Sequence, residues 1–476
     1  MTPSQTLPRN IAEAAALIRS REISCRELVE AYLERIEQVE PVINAFITVS
    51  EYQARRAADE ADAALRAGVS SGPLHGLPVG IKDNIDTAGI STTSGTGMLR
   101  ENVPRRDATV VERLKRAGAI VIGKTNLHEL AWGGSTENPH FGATRNPWNT
   151  SRNAAGSSGG SGAAVAADEC LFSLGTDTGG SIRLPAAAVG ISGLRPTVGR
   201  VSNQGVMPLA WTMDTVGPLA RSVDDLAVIH GVIAGFDADD PATSSRPVPS
   251  HDRRPLGLKK TRFGIIKDFS LTGMEPGVRE VILKALLEIE AAGAEIVEVD
   301  LGDFSQFYDA WLAVHLAEPS ALHQERLKED PGFFGPDVHA LLQAGRFILA
   351  ADYIQAQRYR SHLRARFMDN FEGIDAFLTP TAASPAAMLG ASSAEIVSNL
   401  VNPNGESNFF TGLPSVLAFP ALSVPCGFVD GVPLGLQIMG RPFGESKLLS
   451  LGSAYQEASL WHLAVPPDPS CKDPHQ

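Results

Sequence analysis

Short apolar runs alternate with amphipathic helical patterns along the chain, and this alternation limits the folds that it can adopt. Three apolar runs are Leu77 to Ile81, Ala119 to Ile122 and Cys170 to Leu174. Between them lie stretches such as Asp107 to Arg116, in which apolar residues recur at helical spacing. Strands interleaved with helices are typical of α/β proteins. The sequence therefore predicts an α/β fold.

The second half of the chain repeats this alternation in one complete unit. Arg262 to Ile266 and Glu295 to Val299 are predicted strands. Between them, apolar residues at helical spacing, from Val278 to Ile289, form one face of a predicted helix. A strand, a helix and a second strand in this order predict a βαβ unit.

Three other stretches surround this α/β region. Residues 1–70 read as helices that pack on the core, and residues 466–476 as a frayed tail. Residues 304–371 are helical and carry many aromatic side chains, among them Trp311, which we expect to roof a pocket. We expect residues 71–465 to form the α/β domain, with this helical region inside it.

Composition and charge restrict the partners of the protein. The chain has 41 Lys and Arg against 54 Asp and Glu, a formal net charge of −13. A negative surface repels phosphate backbones and anionic lipids, so we expect no nucleic acid partner and no membrane contact. The N-terminus lacks a signal-peptide pattern, and no apolar run approaches the ~20 residues that span a bilayer. We expect a cytoplasmic protein.

The four cysteines do not suggest a metal site or a disulfide framework. They lie far apart, without CxxC spacing, at positions 25, 170, 426 and 471. We therefore expect neither a metal nor another cofactor.

One motif suggests nucleotide binding. Residues 118–125 have the P-loop spacing G-x-x-x-x-G-K-T. A P-loop follows its strand, whereas here the apolar run Ala119 to Ile122 lies inside the motif. A helix-to-strand turn at Gly118 and a strand end at Lys124 are the better interpretation.

A second motif suggests a nucleophile elbow. Residues 156–160 fit G-x-S-x-G, with Ser158 as the nucleophile. An elbow follows a strand directly, whereas Asn146 to Ala155 reads as a loop. None of the 11 histidines has a spacing that marks it as the partner, so a Ser-His-Asp hydrolase is the weaker hypothesis.

A third constellation combines a lysine with two glycine-rich serine loops. Lys82 follows the first apolar run, Ser157 and Ser158 lie in one loop, and residues 176–181 form another. Amide cleavage needs an activated hydroxyl, a proton carrier and donors for the oxyanion. A buried lysine loses its charge more easily and can act as a base. Consecutive glycines let successive N–H groups, from Thr178 to Ser181, point at one oxygen.

These residues resemble the amidase signature family, which is marked by a Lys-Asp pair and two glycine-serine loops. Here they stand as Lys82-Asp83, Gly156-Ser-Ser-Gly-Gly-Ser161 and Asp177-Thr-Gly-Gly-Ser181. Further similar stretches, such as residues 420–427, extend the resemblance over nearly the whole chain. It implies a single large domain in which helices cover both faces of a mixed β-sheet.

The resemblance also implies a role for each site residue. Ser181 would be the nucleophile that forms an acyl-enzyme, Lys82 the base, and Ser157, after a cis peptide bond, the proton relay between them. The other implied positions are the oxyanion donors Thr178, Gly179, Gly180 and Ser181, the loop-holding residues Ser158 and Arg183, and the substrate-pocket residues Trp132, Gly133, Gly134 and Trp211. One departure is Ala155, which stands where the family usually carries glycine.

The implied function is hydrolysis of linear amides, with aryl esters and carbamates as further substrates. The expected partner is a small amide, and a homodimer is one assembly that the chain could form. The alternative is the glutaminase (A) subunit of a tRNA-dependent amidotransferase, which the chain resembles in length and in residues 427–431. Residues 401–419 lack aspartate, and residues 317–326 lack the Asp-Gly-Ile-Arg-Tyr-Gly stretch of such subunits. We therefore favour stand-alone hydrolysis over the amidotransferase subunit. We also favour it over an inactive binding scaffold, because the sequence has all three residues of the implied catalytic set, Lys82, Ser157 and Ser181.

Overall fold

A computed structural model describes residues 7–249, 257–390, 392, 394, 395, 397, 398 and 409–469. Its helices are α1 (Ile11–Ser20), α2 (Cys25–Ile43), α3 (Glu51–Arg66), α4 (Thr109–Arg116), α5 (Gly159–Ala166), α6 (Arg183–Val189), α7 (Val223–Ile233), α8 (Pro276–Ala291), α9 (Phe307–Leu322), α10 (Gln324–Glu329), α11 (Pro336–Gly345), α12 (Ala350–Asp369), and two further helices, Phe409–Leu417 and Glu445–Ser459. Its strands are β1 (Phe46–Val49), β2 (Pro78–Lys82), β3 (Ile120–Thr125), β4 (Glu137–Asn138), β5 (Gly142–Ala143), β6 (Arg145–Asn146), β7 (Asn149–Asn153), β8 (Phe172–Asp177), β9 (Ser192–Arg195), β10 (Thr215–Ala220), β11 (Arg262–Ile266), β12 (Glu295–Val299), β13 (Ala376–Pro380), β14 (Ala421–Val429) and β15 (Val432–Met439).

Eleven of these strands form one mixed sheet. Their order is β1-β3-β2-β8-β10-β9-β14-β15-β13-β11-β12. Strand β2 runs parallel to β3 and β8, and β11 runs parallel to β12 and β13, whereas the middle of the sheet is antiparallel. Helices flank this sheet, which confirms the predicted single large α/β domain.

The apolar runs of the sequence are strands of this sheet. The three runs of the first half are β2, β3 and β8, and in each strand every residue is buried. Burial on both faces explains why they read as continuous apolar stretches rather than as alternating ones. The predicted βαβ unit is β11, α8 and β12, with parallel strands in register from Arg262 opposite Glu295 to Ile266 opposite Val299.

The N-terminal helices pack on the first half of the sheet. Helix α2 begins with a capping box, in which Ser24 accepts from the Glu27 N–H while the Glu27 carboxylate accepts from the Ser24 N–H. Its apolar stripe, which includes Leu28 and Tyr32, lies in the main hydrophobic core. The boundary at residue 70, between the N-terminal helices and the α/β domain, stays a prediction. Of the predicted tail, residues 466–469 lie outside the helices and strands, and residues 470–476 lie outside the described residues.

A second hydrophobic cluster lies in the predicted helical region. Residues 304–371 contain α9 to α12, and Trp311 and Phe367 are among their fully buried side chains. Aromatic rings fill this cluster, as where Phe269 lies edge-on to Phe307 and Phe410. Among the helices described, none is long and apolar enough to cross a membrane.

Candidate active site

The lysine and the two serine loops meet at one edge of the sheet. Strand β2 ends at Lys82, and its parallel neighbour β8 ends at Asp177. The carboxyl ends of parallel strands lie at the same edge of a sheet, so the residues that follow them come together. The loop before α5 carries Ser157 and Ser158 to this edge.

Lys82 is buried, and its amine donates hydrogen bonds to two hydroxyl groups. Its Nζ lies 2.8 Å from Ser157 Oγ and 2.8 Å from Thr176 Oγ1. Burial lowers the pKa of Lys82 to about 7, although the carboxylates of Asp177 and Asp214 favour the charged form. A large share of this amine is therefore neutral near pH 7 and can accept a proton.

The backbone before Ser157 approaches a neighbouring loop closely. The peptide bond between Gly156 and Ser157 is cis, as the resemblance implied. A Cβ added at Gly156 would lie 2.7 Å from Gly133 O and 2.8 Å from Ser135 N, so this position requires glycine. Ala155 has a φ of +54°, in the left-handed region that favours glycine. The departure from the family pattern is therefore a strained alanine.

Ser158 joins the two serine loops. Its N–H donates to Ser181 O at 3.2 Å, and its hydroxyl donates to Thr176 O at 3.2 Å. The side chain is fully buried, and Ser158 is the N-cap of α5. The stretch Asn146 to Ala155, expected to be a loop, contains the strand β7, but four residues separate the end of that strand from Ser158, so Ser158 does not follow a strand directly. The structure therefore does not support the nucleophile-elbow hypothesis.

The loop after β8 differs from the expected oxyanion site at one position. The Gly180 N–H donates to Asp177 Oδ1 at 3.0 Å, because the loop turns around this carboxylate. Gly180 is thus not a free donor for an oxyanion, and its assignment as one is corrected. Thr178, Gly179 and Ser181 stay candidate donors. Ser181 is partly exposed at a small cavity.

Two buried arginines hold the same carboxylate. Arg183 binds Asp177 through Nε at 3.0 Å and Nη2 at 2.8 Å, and Arg195 Nη1 lies 2.9 Å from Asp177 Oδ1. All three side chains are fully buried. Although burial opposes ionisation, the charges of the two arginines hold the pKa of Asp177 well below its usual range. The loop that carries Ser181 is therefore fastened at its start.

Sequence reasoning gave no individual role to Thr176, Arg195 or Asp214. Thr176 binds Lys82, Arg195 binds Asp177, and Asp214 accepts from Thr178 Oγ1 at 2.5 Å. The sequence offered one signal for Arg195. It lies at the end of an apolar stretch, and a charged side chain that is buried there requires a partner of opposite charge. The contacts of Thr176 and Asp214 depend on the order of the strands in the sheet, which the sequence alone does not predict.

The P-loop motif has the structural role that its context predicted. Gly118 lies in the turn between α4 and β3 with a φ of +93°, and Lys124 lies inside β3. The Lys124 amine is buried and donates to Ile85 O at 2.8 Å and Thr92 Oγ1 at 2.6 Å. Among the described residues, no group of three or more His, Cys, Asp or Glu is placed to hold a metal ion.

A cavity of about 10 Å³ lies beside Ser181. It is lined by Ala131, Gly133, Gly156, Gly179, Trp311 and His315. Trp311 is thus one of the lining residues, and its expected role in roofing a substrate pocket stays a prediction; its neighbour His315 was not predicted.

The other expected pocket residues lie farther back or elsewhere. Trp132 is buried behind the cavity, with its ring edge-on to His315 at 5.9 Å between centroids. Gly134 lies against Gly156 rather than in the lining. Trp211 is 48% exposed and absent from the lining of this cavity, and its assignment to the substrate pocket stays a prediction.

Comparison with known proteins gives one consistent result. The family model Amidase matches residues 27–449. The chain is 40% identical to the A subunit of glutamyl-tRNA(Gln) amidotransferase from Roseiflexus castenholzii, over 98% of both chains. It is similar to the crystal structure of a bacterial aryl acylamidase of the amidase signature family, with a TM-score of 0.87 and 28% identity over 98% of this chain and 99% of that one. The crystal structure of the corresponding A subunit from Thermotoga maritima gives a TM-score of 0.79 and 31% identity, over 94% of this chain and 95% of that one.

These relatives correct the expectation about partners. The net charge of −13 led us to expect a small amide as partner and no nucleic acid. That expectation is wrong, because proteins this similar over their whole length are named as subunits of an enzyme that acts on a tRNA. Net charge describes the surface as a whole and does not report on a local patch or on other subunits.

Proposed function

The chain belongs to the amidase signature family, and on that premise we propose that it cleaves a linear amide through an acyl-enzyme formed on Ser181. Membership of the family makes it a hydrolase of carbon–nitrogen bonds. The roles of Ser181, Ser157 and Lys82, and linear amides as the substrates, are proposed. The observation that carries it is the 2.8 Å contact between the Lys82 amine and the Ser157 hydroxyl, both of which are fully buried.

The proposed reaction moves one proton along this contact. Ser181 Oγ attacks the carbonyl carbon, its proton passes to Ser157, and the Ser157 proton passes to neutral Lys82. The oxyanion takes hydrogen bonds from free N–H groups of the loop 178–181. As the carbon–nitrogen bond breaks, Ser157 donates a proton to the leaving nitrogen and recovers one from Lys82. Water then attacks the acyl group by the same relay, which releases the carboxylic acid and restores Ser181.

A serine-reactive fluorophosphonate probe followed by peptide mapping tests the nucleophile. We expect labelling at Ser181, and loss of both labelling and amide hydrolysis in Ser181→Ala, by several powers of ten in kcat. The matched control is Ser151→Ala, an exposed serine of β7, which should leave both unchanged. Labelling at Ser158 would instead support the elbow hypothesis, and no labelling would support an inactive scaffold.

A second candidate is the glutaminase subunit of a tRNA-dependent amidotransferase. The relatives support it more strongly than they support stand-alone hydrolysis, since those with 38–40% identity carry that name. In this role the same chemistry would release ammonia from glutamine for transfer to a glutamyl-tRNA, with other subunits. The sequence weighs against it, because residues 401–419 contain no aspartate and residues 317–326 lack the Asp-Gly-Ile-Arg-Tyr-Gly stretch expected in such subunits.

Ammonia release distinguishes the two candidates. The rates with L-glutamine and with butyramide, an amide of similar reach without the charged groups, should be compared for the isolated chain. Preference for butyramide is expected for stand-alone hydrolysis. A preference for L-glutamine of tenfold or more would identify the amidotransferase role instead.

A further inference from the structure

Two buried polar groups beside Ser181 have no hydrogen-bond partner among the described residues. They are Nε1 of Trp311 and Nδ1 of His315, and both residues line the cavity at the nucleophile. Buried polar groups are normally paired, because an unpaired one loses its bonds to water and gains none. Two such groups at one cavity indicate that something else supplies the missing bonds.

The indole of Trp311 lies directly against the loop that carries Ser181. The side chain is fully buried, and a Cβ added at Gly179 would lie 2.8 Å from its Cζ2 and 3.4 Å from its Nε1. The edge that carries the N–H therefore faces Gly179, two residues before the nucleophile. A substrate whose carbonyl lies at Ser181 therefore has a group next to that carbonyl at this edge.

His315 lies one helical turn after Trp311 on α9 and stacks on it. The two ring centroids are 4.4 Å apart, with 20° between the planes. Burial lowers the pKa of His315 to about 3, so the imidazole is neutral at neutral pH and has one donor and one acceptor nitrogen. Together the two rings offer donors and an acceptor without charge.

We propose that Trp311 and His315 bind a small, neutral, hydrogen-bonding group on the acyl side of the substrate, next to the scissile carbonyl. This inference rests on the proposed function, because it takes Ser181 as the point of attack. A hydroxyl on the carbon next to the carbonyl matches this pair, because it can accept from the indole N–H and donate to an acceptor nitrogen of the imidazole. A charged group there would lose its hydration without gaining an opposite charge.

The test compares two amides that differ in one group. Glycolamide carries a hydroxyl where propionamide carries a methyl, so the ratio of their kcat/KM values measures recognition of the hydroxyl. We expect the native protein to favour glycolamide at least tenfold. A site that bonds a hydroxyl discriminates strongly against an analogue that lacks it. Trp311→Phe keeps an aromatic ring but removes the N–H, and His315→Phe removes both ring nitrogens, so each should lower the ratio at least tenfold.

The matched control is Trp148→Phe. Trp148 Nε1 donates to Val189 O at 2.8 Å and is absent from the cavity, so its loss should leave the ratio unchanged. Equal effects of Trp311→Phe on both amides would overturn the inference, because they would show a packing role only. A native ratio near one would overturn it as well.

Protection of Ser181 from the fluorophosphonate probe gives a readout that does not need turnover. Glycolamide should protect better than propionamide in the native protein, and this difference should disappear in Trp311→Phe. Protection without ammonia release would contradict the proposed hydrolase but support the binding site. Ammonia release with no difference between the amides, in rate or protection, would contradict the site alone.

Discussion

At the scale of single residues, Lys82 sets the pH dependence of the proposed reaction. Burial lowers the pKa of Lys82 to about 7, and the reaction requires the neutral amine. We therefore expect kcat/KM to rise with pH to a plateau, with a midpoint near pH 7, because this parameter reports the free enzyme.

Lys82→Met provides the check on that assignment. It should lower kcat/KM by about 10²- to 10⁴-fold, the usual contribution of a general base, and abolish the midpoint near pH 7. The control Lys328→Met, at an exposed lysine of α10, should keep the native profile. An unchanged midpoint in Lys82→Met would place the titrating group elsewhere.

Ala155 is a second residue with a measurable consequence. An alanine in the left-handed region costs about 1–2 kcal/mol, and glycine avoids this cost but loses more conformational freedom on folding. We expect Ala155→Gly to raise the free energy of unfolding by about 0.5–1 kcal/mol in denaturant titrations. The control Ala67→Gly, where φ is −77°, should bring no gain. A loss of stability in Ala155→Gly would mean that the left-handed conformation is not a burden there.

At the scale of elements, two carboxyl groups lie between the N-terminal helices and the rest of the fold. Glu40 lies near the end of α2, and Glu169, whose side chain is fully buried, lies in the turn between α5 and β8. Burial, together with the charge of Glu40, raises the pKa of Glu169 well above its usual range. The folded protein therefore keeps a proton on Glu169 that the unfolded chain releases near pH 4.5.

This proton makes stability depend on pH in a definite direction. A raised pKa in the folded state contributes stability that is complete below the unfolded-state pKa and is lost as the pH rises towards the folded-state pKa, by about 1.4 kcal/mol per pH unit. Glu169→Gln keeps the shape without the titration, so thermal melts of this variant should lose less stability between pH 5 and 8 than the native protein. Glu37→Gln, at an exposed position of α2, should retain the native slope. Parallel pH curves for the native protein and Glu169→Gln would contradict the assignment.

Elements were predicted well where their pattern is local. The continuous apolar run of β2 and the strand-helix-strand unit from Arg262 to Val299 are present because buried parallel strands and amphipathic helices each have a distinct spacing. The long-range order of the sheet was not accessible. It brings β9 from the first half beside β14 from the second, and no local pattern encodes that pairing.

At the scale of the whole molecule, the same limit explains the errors at the site. Lys82 and the loop 178–181 could be brought together because they follow the neighbouring parallel strands β2 and β8, and Ser157 could be added to them from the family motif. His315 and the exposure of Trp211 could not, because they depend on how α9 and its neighbours pack over the sheet edge. The prediction that the protein has no nucleic acid partner failed for a related reason. It was based on the net charge of the whole chain, which carries no information about where a partner binds.

The origin of the two rings above Ser181 has a consequence for how such enzymes diversify. Lys82 and Ser157 belong to the edge of the sheet, whereas Trp311 and His315 come from a helix that packs in a separate aromatic cluster. Exchanging side chains on one face of that helix would therefore alter which acids are released while the proton pathway beneath stays intact. Related enzymes that descend from one gene are therefore expected to gain new substrates through substitutions in this helix, while the residues that cleave the bond stay the same.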